Sequence, residues 1–349
     1  MSLNIRAASH PLPSRKHTLE AELGAALYLL ENTRDRKLVA RHLGWDGGRP
    51  CSLMEAGARF QLTRERARQV YAASLPVLRR HRDLPALPSV LAYVSERQKE
   101  PADRVERDLV ALGLTRGILL DGILSAARVF RVAPGFEIGE VGGVRFVGTV
   151  SHAGKAILFT AAKFIAHAGA IRVSDLRLRL PKSQSAVEEP FLRSVLETRT
   201  DLVWLDPNSE WFWLSAVRRN RLVSRIEKVL AVHRRVPVSI LHRAVSRDHK
   251  PLRVPEPVLR SLCSRLPGCR VQRQHVEAHP RPAVEDVLTG AEAKLHRILS
   301  GCGGGVRVTV LQDLCREQGV QRSNLWRLLR YSPIIQRLGP QVYGLVGVA

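Results

Sequence analysis

The sequence has no long apolar run and few cysteines. No stretch approaches the roughly 18 apolar residues that a membrane-spanning helix needs, and the first residues, MSLNIRAASHPLPSRKH, lack the apolar core of a signal peptide. The five cysteines form an odd, sparse set, which is typical of free thiols in a reducing compartment. We therefore expect a cytoplasmic protein that does not contact a membrane.

Patterns of catalysis and metal binding are also lacking. No serine, cysteine or carboxylate constellation indicates catalysis, and the glycine cluster at 301–306 lacks the Lys-Ser/Thr of a phosphate-binding loop. Four residues have the types of zinc ligands: Cys263, Cys269, His275 and His279. The two cysteines are too far apart for a zinc knuckle, and the histidines follow too closely for a zinc finger. We expect no enzyme activity, no metal and no cofactor.

Acidic residues are few relative to basic ones. The chain of 349 residues has 55 Lys and Arg against 32 Asp and Glu, a formal charge of +23, and 46 of the basic residues are arginine. Such a balance favours a polyanionic partner, of which nucleic acid is the most common. Hydrophobic residues make up 45% of the chain, enough for buried cores, and the length predicts two to four small domains.

Residues 52–75 predict two helices joined by a short turn. Gly57 supplies the small residue that two crossing helices need, and Thr63 stands where the second helix needs an N-cap. The residues predicted to face inward are Leu53, Phe60, Leu62, Ala67 and Val70. The residues predicted on the outer face of the second helix are Arg64, Glu65, Arg66, Arg68 and Gln69. These side-chain types read base edges in the major groove, although a solvated arginine face is the plainer alternative.

This segment resembles region 4 of the bacterial primary sigma factors. T-R-E-R-A-R-Q-V at 63–70 is similar to the family's recognition helix, T-R-E-R-[VI]-R-Q-I, and 43–60 is similar to the preceding loop and helix. The resemblance covers about 60 residues, roughly Lys16 to Arg80. It implies a helix-turn-helix that reads double-stranded promoter DNA. By this resemblance Arg64, Glu65 and Gln69 contact bases, and Arg66 and Arg68 contact phosphates or support the helix.

Three departures from the family pattern bear on that expectation. Gln61 replaces the usual Gly, Asp or Asn of the turn, where a positive φ is commonly needed, so we expect either strain or an altered turn geometry there. Ala67 replaces a branched residue and leaves less core volume. Arg41 is displaced by one position relative to Gly44.

Aromatic residues are only 5% of the chain, and nothing resembles the aromatic-rich region with which sigma factors melt DNA.

The rest of the N-terminal half predicts a tail and a second small domain. We expect a flexible tail at 1–15, the helix-turn-helix domain at 16–82, and linker helices plus a hairpin at 83–149. The prolines at 85 and 88 predict the end of the first domain. Helical periodicity at 105–130, followed by two short strands around a Gly-Gly turn, is consistent with an incomplete or degenerate winged helix.

A repeat follows. Segments 189–196, 256–263 and 323–330 align without gaps at intervals of 67 residues, which puts Arg193, Arg260 and Arg327 at one position. Each is preceded by an apolar helix, a β-like run and a second helix. Two are followed by a strand pair, whereas the middle one shows no clear turn. The order weakly resembles HARE-type winged helices, which are found in chromatin and polymerase-associated proteins. We call 150–217 the first repeat, 218–280 the middle repeat and 281–349 the third repeat.

The repeats differ in how well they suit DNA. Pro190 and Pro257 stand at the starts of two aligned helices and cannot donate a backbone hydrogen bond to phosphate, and Glu188 and Glu189 would repel it. In the third repeat the polar residues around the aligned helix suit bases and phosphates: Gln321, Arg322, Ser323, Asn324, Arg327 and Arg330.

The sequence thus predicts a mainly α fold with small β-hairpins, built from a sigma region 4-like helix-turn-helix and tandem winged helices. The leading hypothesis is a bacterial transcription regulator that binds double-stranded DNA without melting it. The predicted DNA-binding residues are Arg64, Glu65, Arg66, Arg68, Gln69, Arg193, Arg260, Arg322, Asn324 and Arg327. One alternative is a scaffold that docks on RNA polymerase or another complex. A second is the non-catalytic DNA-recognition subunit of a defence or mobile-element system.

Overall fold

A computed structural model describes residues 18–181, 187–247 and 254–347. The tail expected at 1–15 lies outside them. The fold is mainly helical with small antiparallel sheets of two or three strands, as the sequence predicts. The chain divides into two compact units, Met1–Lys155 and Ala156–Ala349. In the described part of the chain, no helix combines the length and apolar character needed to cross a membrane.

The first unit contains seven helices among its described residues and then a hairpin. The helices are α1 (Leu19–Tyr28), α2 (Thr33–Leu43), α3 (Leu53–Ala58), α4 (Arg64–Leu78), α5 (Ala86–Ser95), α6 (Ala102–Ala111) and α7 (Leu120–Phe130). The hairpin strands are β1 (Ile138–Val141) and β2 (Val144–Val147). Helix α8 (Ser151–Ala168) follows and contains the boundary between the two units.

Two glutamates cap helices that are distant in sequence. Helices α5 and α7 have no side-chain cap of their own, because Pro85 and Leu119 stand at their N-cap positions. Glu22 of α1, which is buried, accepts hydrogen bonds from the backbone N–H groups that open α5, at 2.5 and 3.2 Å. Glu106 of α6 accepts one from the first residue of α7 at 2.8 Å. A carboxylate at a helix N-terminus satisfies free N–H groups and complements the dipole.

These contacts join both sides of the proline segment into one body. Buried residues from Leu19 to Val147 form a single core cluster. The hairpin is held to α6 and α7 by Arg145, whose guanidinium is buried and hydrogen bonds to Asp103, Glu106 and Asp121 at 2.6–3.1 Å. An isolated β-bridge between Pro101 and Phe146 adds a one-residue third strand beside β2.

The second unit has one element order that occurs three times. The first repeat continues from α8 with β3 (Ile171–Arg172), α9 (Val173–Leu178), α10 (Glu189–Glu197), β4 (Leu202–Trp204) and β5 (Trp211–Leu214). The middle repeat has α11 (Arg221–Val232), β6 (Arg235–Pro237), α12 (Val238–Ser246), α13 (Glu256–Arg265), β7 (Cys269–Gln272) and β8 (His275–Ala278). After a short α14 (Val284–Val287), the third repeat has α15 (Gly290–Gly301), β9 (Val306–Arg307), α16 (Val308–Glu317), α17 (Arg322–Tyr331), β10 (Ile335–Gly339) and β11 (Val342–Leu345).

The three sheets share one topology. In each, the short strand pairs with the second hairpin strand, which also pairs with the first, in the orders β3-β5-β4, β6-β8-β7 and β9-β11-β10. The residue that opens the second helix of each repeat is a valine, Val173, Val238 or Val308. Its N–H donates to a carbonyl next to or within the hairpin turn at 2.8 Å in all three cases.

The middle repeat also closes with a hairpin, although its sequence shows no clear turn. Strands β7 and β8 pair from Cys269 to Ala278 and are joined by Arg273 and Gln274. Arg273 has φ 51°, a left-handed conformation that usually calls for Gly or Asn. Because arginine stands in that position, the customary turn signal is missing and the hairpin is hidden from sequence inspection.

The middle and third repeats are joined by buried polar contacts. Arg225 of α11 is buried and donates to the carbonyls of Val245 and Tyr331 at 2.9 Å. Glu292 of α15 is also buried and accepts from Lys228 Nζ at 2.6 Å and from Ser332 Oγ at 2.9 Å. Buried charges that satisfy one another in this way fix the geometry of the elements they join.

Candidate nucleic-acid interface

Helices α3 and α4 approach closely at a glycine. A Cβ atom added to Gly57 would lie 3.0 Å from Ala67 Cβ and 3.1 Å from the carbonyl oxygen of Leu62, tighter than ordinary packing. Ala67 is completely buried and Val70 nearly so, whereas the three residues between Thr63 and Ala67 are exposed. The small residues at both positions let the two helices cross in contact, so that the opposite side of α4 faces solvent.

The turn between the two helices has the strained conformation that the sequence predicts. Gln61 has φ 56°, in the left-handed region that disfavours side chains with a Cβ. The N–H of Leu62 donates to the carbonyl of Gly57 at 3.0 Å and closes the turn. Thr63 then caps α4 by accepting from the N–H of Arg66 at 3.3 Å. Together these contacts fix the direction in which α4 begins.

The five predicted contact residues of α4 are all exposed on its first turns: Arg64, Glu65, Arg66, Arg68 and Gln69. Their side chains are partly paired with one another. Arg68 makes a two-point ion pair with Glu65 at 2.7 and 2.9 Å, and Arg66 donates to Gln69 Oε1 at 3.1 Å. The hydrogen bond from Arg68 lowers the pKa of the Glu65 carboxyl below its usual range.

Arg64 differs from its neighbours in this respect. Among the described residues its side chain makes no hydrogen bond and no ion pair, and it projects from the first residue of α4. A guanidinium there can donate two parallel hydrogen bonds to a guanine edge or to a phosphate without first breaking an internal contact. The side chains of Glu65 and Arg68, by contrast, hold each other in place next to Arg64.

The loop that precedes α3 is tied to α2, and α2 contacts α4. Gly44 ends α2 with φ 71°, and a Cβ there would lie 2.8 Å from the carbonyl oxygen of Gly48. Arg41, the arginine that the sequence shows displaced by one position, pairs with Asp46 at 3.6 Å within this loop. His42 Nδ1 lies 2.7 Å from the carbonyl oxygen of Cys51, and its ring packs edge-on against Tyr71 of α4. Arg41 therefore serves the loop's own structure.

The three aligned arginines of the repeats are not equivalent. Arg193 on α10 pairs with Glu189 at 2.8 Å, donates to the carbonyl of Ser209 in the hairpin turn at 2.5 Å, and lies over the ring of Trp204. Its guanidinium therefore ties α10 to its own hairpin. Arg260 on α13 is exposed and makes no hydrogen bond or ion pair within the described part of the chain.

Helix α17 carries the remaining predicted residues. Arg322, Asn324 and Arg327 all lie on this helix. The two arginines are exposed, and Arg327 donates to Asn324 Oδ1 at 3.3 Å. Trp326 between them is 43% exposed, a feature that the sequence reasoning missed. An exposed indole beside arginines can stack on a base or a sugar, whereas the three leucines of this helix are buried.

The hairpin of the middle repeat presents cations that the sequence reasoning also missed. Arg270 and Arg273 are exposed on β7 and its turn, and Arg235 lies on the same sheet face because it and Arg270 both pair with Glu277. The excess of basic over acidic residues in the middle repeat could have indicated these arginines from the sequence alone. Residues 218–280 hold 15 basic and 4 acidic residues, against 8 and 7 in the first repeat and 9 and 5 in the third.

Among the described residues, the cysteines and histidines considered for zinc are not grouped as metal ligands. Cys263 is buried within α13, and burial raises the pKa of its thiol far above the usual value. Burial likewise raises the pKa of Cys269 to about 11. Over residues 18–181, 187–247 and 254–347, no group of three or more His, Cys, Asp or Glu side chains is arranged to hold a metal ion.

Comparison with known proteins adds no family. No model of a known protein family matches the chain, and no curated protein matches it. Function is therefore inferred from the residues of this chain.

Proposed function

We propose that this chain is a non-catalytic, sequence-specific double-stranded DNA-binding protein that regulates transcription in a bacterial cytoplasm. In this proposal α3 and α4 form a helix-turn-helix like region 4 of the sigma factors, and α4 enters the major groove. The observation that carries the proposal is the first part of α4: a capped helix start, a buried Ala67, and exposed side chains around Arg64 of the types that read bases and bind phosphates.

We further propose that the three repeats are winged helices. Their element order and the pairing of the short strand with the second hairpin strand support this. Residues 83–149 would be a fourth, reduced copy. There α5, the Pro101 bridge, α6, α7 and the hairpin follow in the same order, and the bridge pairs with the second hairpin strand. In this proposal the middle and third repeats extend the DNA footprint through Arg260, Arg322 and Arg327.

A scaffold role is the second candidate, and the first repeat favours it. Its aligned arginine is engaged internally, acidic residues open α10, and its charges nearly balance. A module of this kind suits protein docking better than phosphate binding. Docking on RNA polymerase, or on the catalytic subunit of a defence or mobile-element system, is compatible with DNA reading by α4.

Selection from a pool of random duplexes tests the proposal. The purified chain is expected to enrich a discrete motif at physiological salt, because base contacts in the major groove each discriminate by about 1–3 kcal/mol. Arg64→Ala is the test variant, and it should enrich a degenerate version of the same motif. Enrichment without any motif would contradict sequence-specific binding, and retention of no DNA at all would favour the scaffold.

A further inference from the structure

The C-terminal end of α4 borders an open pocket of about 300 Å³ within the first unit. This size is at the lower end of what small-ligand sites occupy. Its apolar part is formed by Leu84, Leu87, Pro88, Phe130 and Val132. Phe130 is held in place by stacking on Trp45, with ring centroids 5.9 Å apart and planes nearly parallel. The pocket therefore has a rigid aromatic wall.

The polar part of the pocket is entirely basic. It is formed by Arg79, His81, Arg82 and Arg131, and no acidic residue lines it. Arg79 is anchored by a hydrogen bond from Nε to the carbonyl of Val129 at 2.8 Å. Arg82 and Arg131 make no side-chain hydrogen bond or ion pair among the described residues. Cations gathered without counter-charges repel one another unless an anion is bound between them.

Two of the basic residues that line the pocket have further features. Nε2 of His81 is buried and, in the described part of the chain, has no hydrogen-bond partner, although buried polar atoms are almost always satisfied. Arg131 has φ 61°, so an arginine occupies the left-handed position after α7 where glycine is unstrained. A left-handed residue commonly ends a helix, and here it places an arginine beside the pocket.

We propose that this pocket binds a small anion that carries an apolar ring, with a phosphomonoester as the best match. Planar guanidiniums recognise phosphate oxygens through paired hydrogen bonds, and three arginines line this pocket. The ring would lie against Phe130 and the neighbouring leucines. The site is separate from the proposed DNA contact, because α4 has 15 residues and its two ends are about 22 Å apart.

Calorimetric titration of the full chain with phenyl phosphate tests this. We expect saturable binding of one molecule per chain, with inorganic phosphate at least about tenfold weaker because it cannot use the apolar wall. Benzyl alcohol, which has the ring without the charge, is expected not to bind. Equal affinity for phenyl phosphate and inorganic phosphate, or no saturable binding of either, would overturn the proposal.

The informative variant is Arg131→Gly. It removes a guanidinium, and glycine is unstrained at this φ, so the melting temperature should not fall. We expect phenyl phosphate affinity to drop by about tenfold or more, since each charge-assisted hydrogen bond contributes substantially. Arg82→Ala should act in the same way. The matched control is Arg80→Ala, an exposed arginine that does not line the pocket.

The arginine variants also distinguish a specific anion site from general attraction to a basic protein and from a DNA contact. Non-specific attraction to a chain of +23 would fall equally in Arg80→Ala and Arg131→Gly, and that result would refute the site. If Arg131→Gly and Arg82→Ala weakened duplex DNA binding while Arg80→Ala did not, the pocket would hold a DNA phosphate and the small-ligand proposal would be wrong. Because phenyl phosphate binding is measured directly, its failure would leave the proposed reading of bases by α4 untouched.

Discussion

The turn between α3 and α4 places a glutamine where the backbone conformation favours glycine. Gln61 adopts φ 56° between α3 and α4, where glycine would be free of strain. We expect Gln61→Gly to raise the free energy of unfolding by about 0.4–1 kcal/mol, because the native conformation is accessible to glycine and costly for glutamine. Ala72→Gly, at an exposed position within α4, should lower it by up to about 1 kcal/mol. Denaturant unfolding midpoints that fall for both variants would contradict the strain assignment.

Glu292 is the residue on which the junction of the middle and third repeats depends. Burial alone would raise the pKa of its carboxyl. The hydrogen bond and charge of Lys228, the N–H of Thr289 and the hydroxyl of Ser332 outweigh burial and lower the pKa below its usual value. A lowered pKa means that the stabilisation is present above the unfolded pKa near 4.5 and is lost as pH falls through the folded value.

We therefore expect Glu292→Gln to cost about 3 kcal/mol at neutral pH, because it leaves Lys228 half-buried without its counter-charge. The difference from the native chain should shrink as pH falls below about 4.5. Denaturant midpoints measured between pH 3 and pH 7 report both effects. A variant whose midpoint matches the native chain at pH 7, or whose deficit is independent of pH, would contradict this role.

At the scale of elements, local patterns in the sequence predicted much of what is observed. Thr63 caps α4, and Gly57 marks its contact with α3, because capping and close packing are properties of a few neighbouring residues. The spacing of 67 residues likewise identified three aligned helices, which share two buried apolar positions. These are 191, 258 and 325, and 195, 262 and 329.

What the sequence could not supply are contacts between distant segments. The prolines at 85 and 88 predicted the end of a domain, yet they stand at the opening of α5, and Glu22 reaches its first N–H groups from α1. Residues on both sides share one core. Glu189 and Glu256 stand four residues before Arg193 and Arg260, yet the alignment does not reveal that only Arg193 pairs with its glutamate and with a hairpin carbonyl.

That difference leads to a prediction for the two aligned helices. Arg193→Ala should lower the free energy of unfolding by about 1–2 kcal/mol, because it removes an ion pair and a hydrogen bond to the hairpin, and should leave DNA affinity unchanged. Arg260→Ala should do the reverse, with a stability change within about 0.5 kcal/mol and weaker DNA binding. Unfolding midpoints and duplex binding curves on the same two proteins decide this. Equal effects of the two variants on DNA would contradict it.

For the whole molecule, the uneven charge predicts where phosphate binding is concentrated. Affinity for duplex DNA should fall by well over tenfold between about 50 and 200 mM salt, since each phosphate contact adds about 0.9 to the log–log slope. Removing Arg270 and Arg273 together should reduce that slope by about 1.8. Removing the exposed Arg177 and Arg179 of the first repeat, an equal change in charge, should leave it nearly unaltered. Equal changes in slope would mean that net charge, not the middle repeat, governs binding.

The central claim is that the first turns of α4 read base sequence, and Arg64 tests it most directly. Its guanidinium is exposed and has no internal hydrogen bond or ion pair in the described part of the chain, so Arg64→Ala changes little in the free protein. Binding is measured for the native chain and the variant on the selected duplex and on a scrambled one, at the same salt. Arg327→Ala serves as the comparison for a residue that holds only the backbone.

We predict that Arg64→Ala costs about 1–3 kcal/mol on the selected duplex and little on scrambled DNA, whereas Arg327→Ala weakens both alike. If Arg64→Ala lowered both affinities by the same factor, α4 would not be a sequence reader. The account would then be contradicted at its centre, and the chain would be better understood as a scaffold.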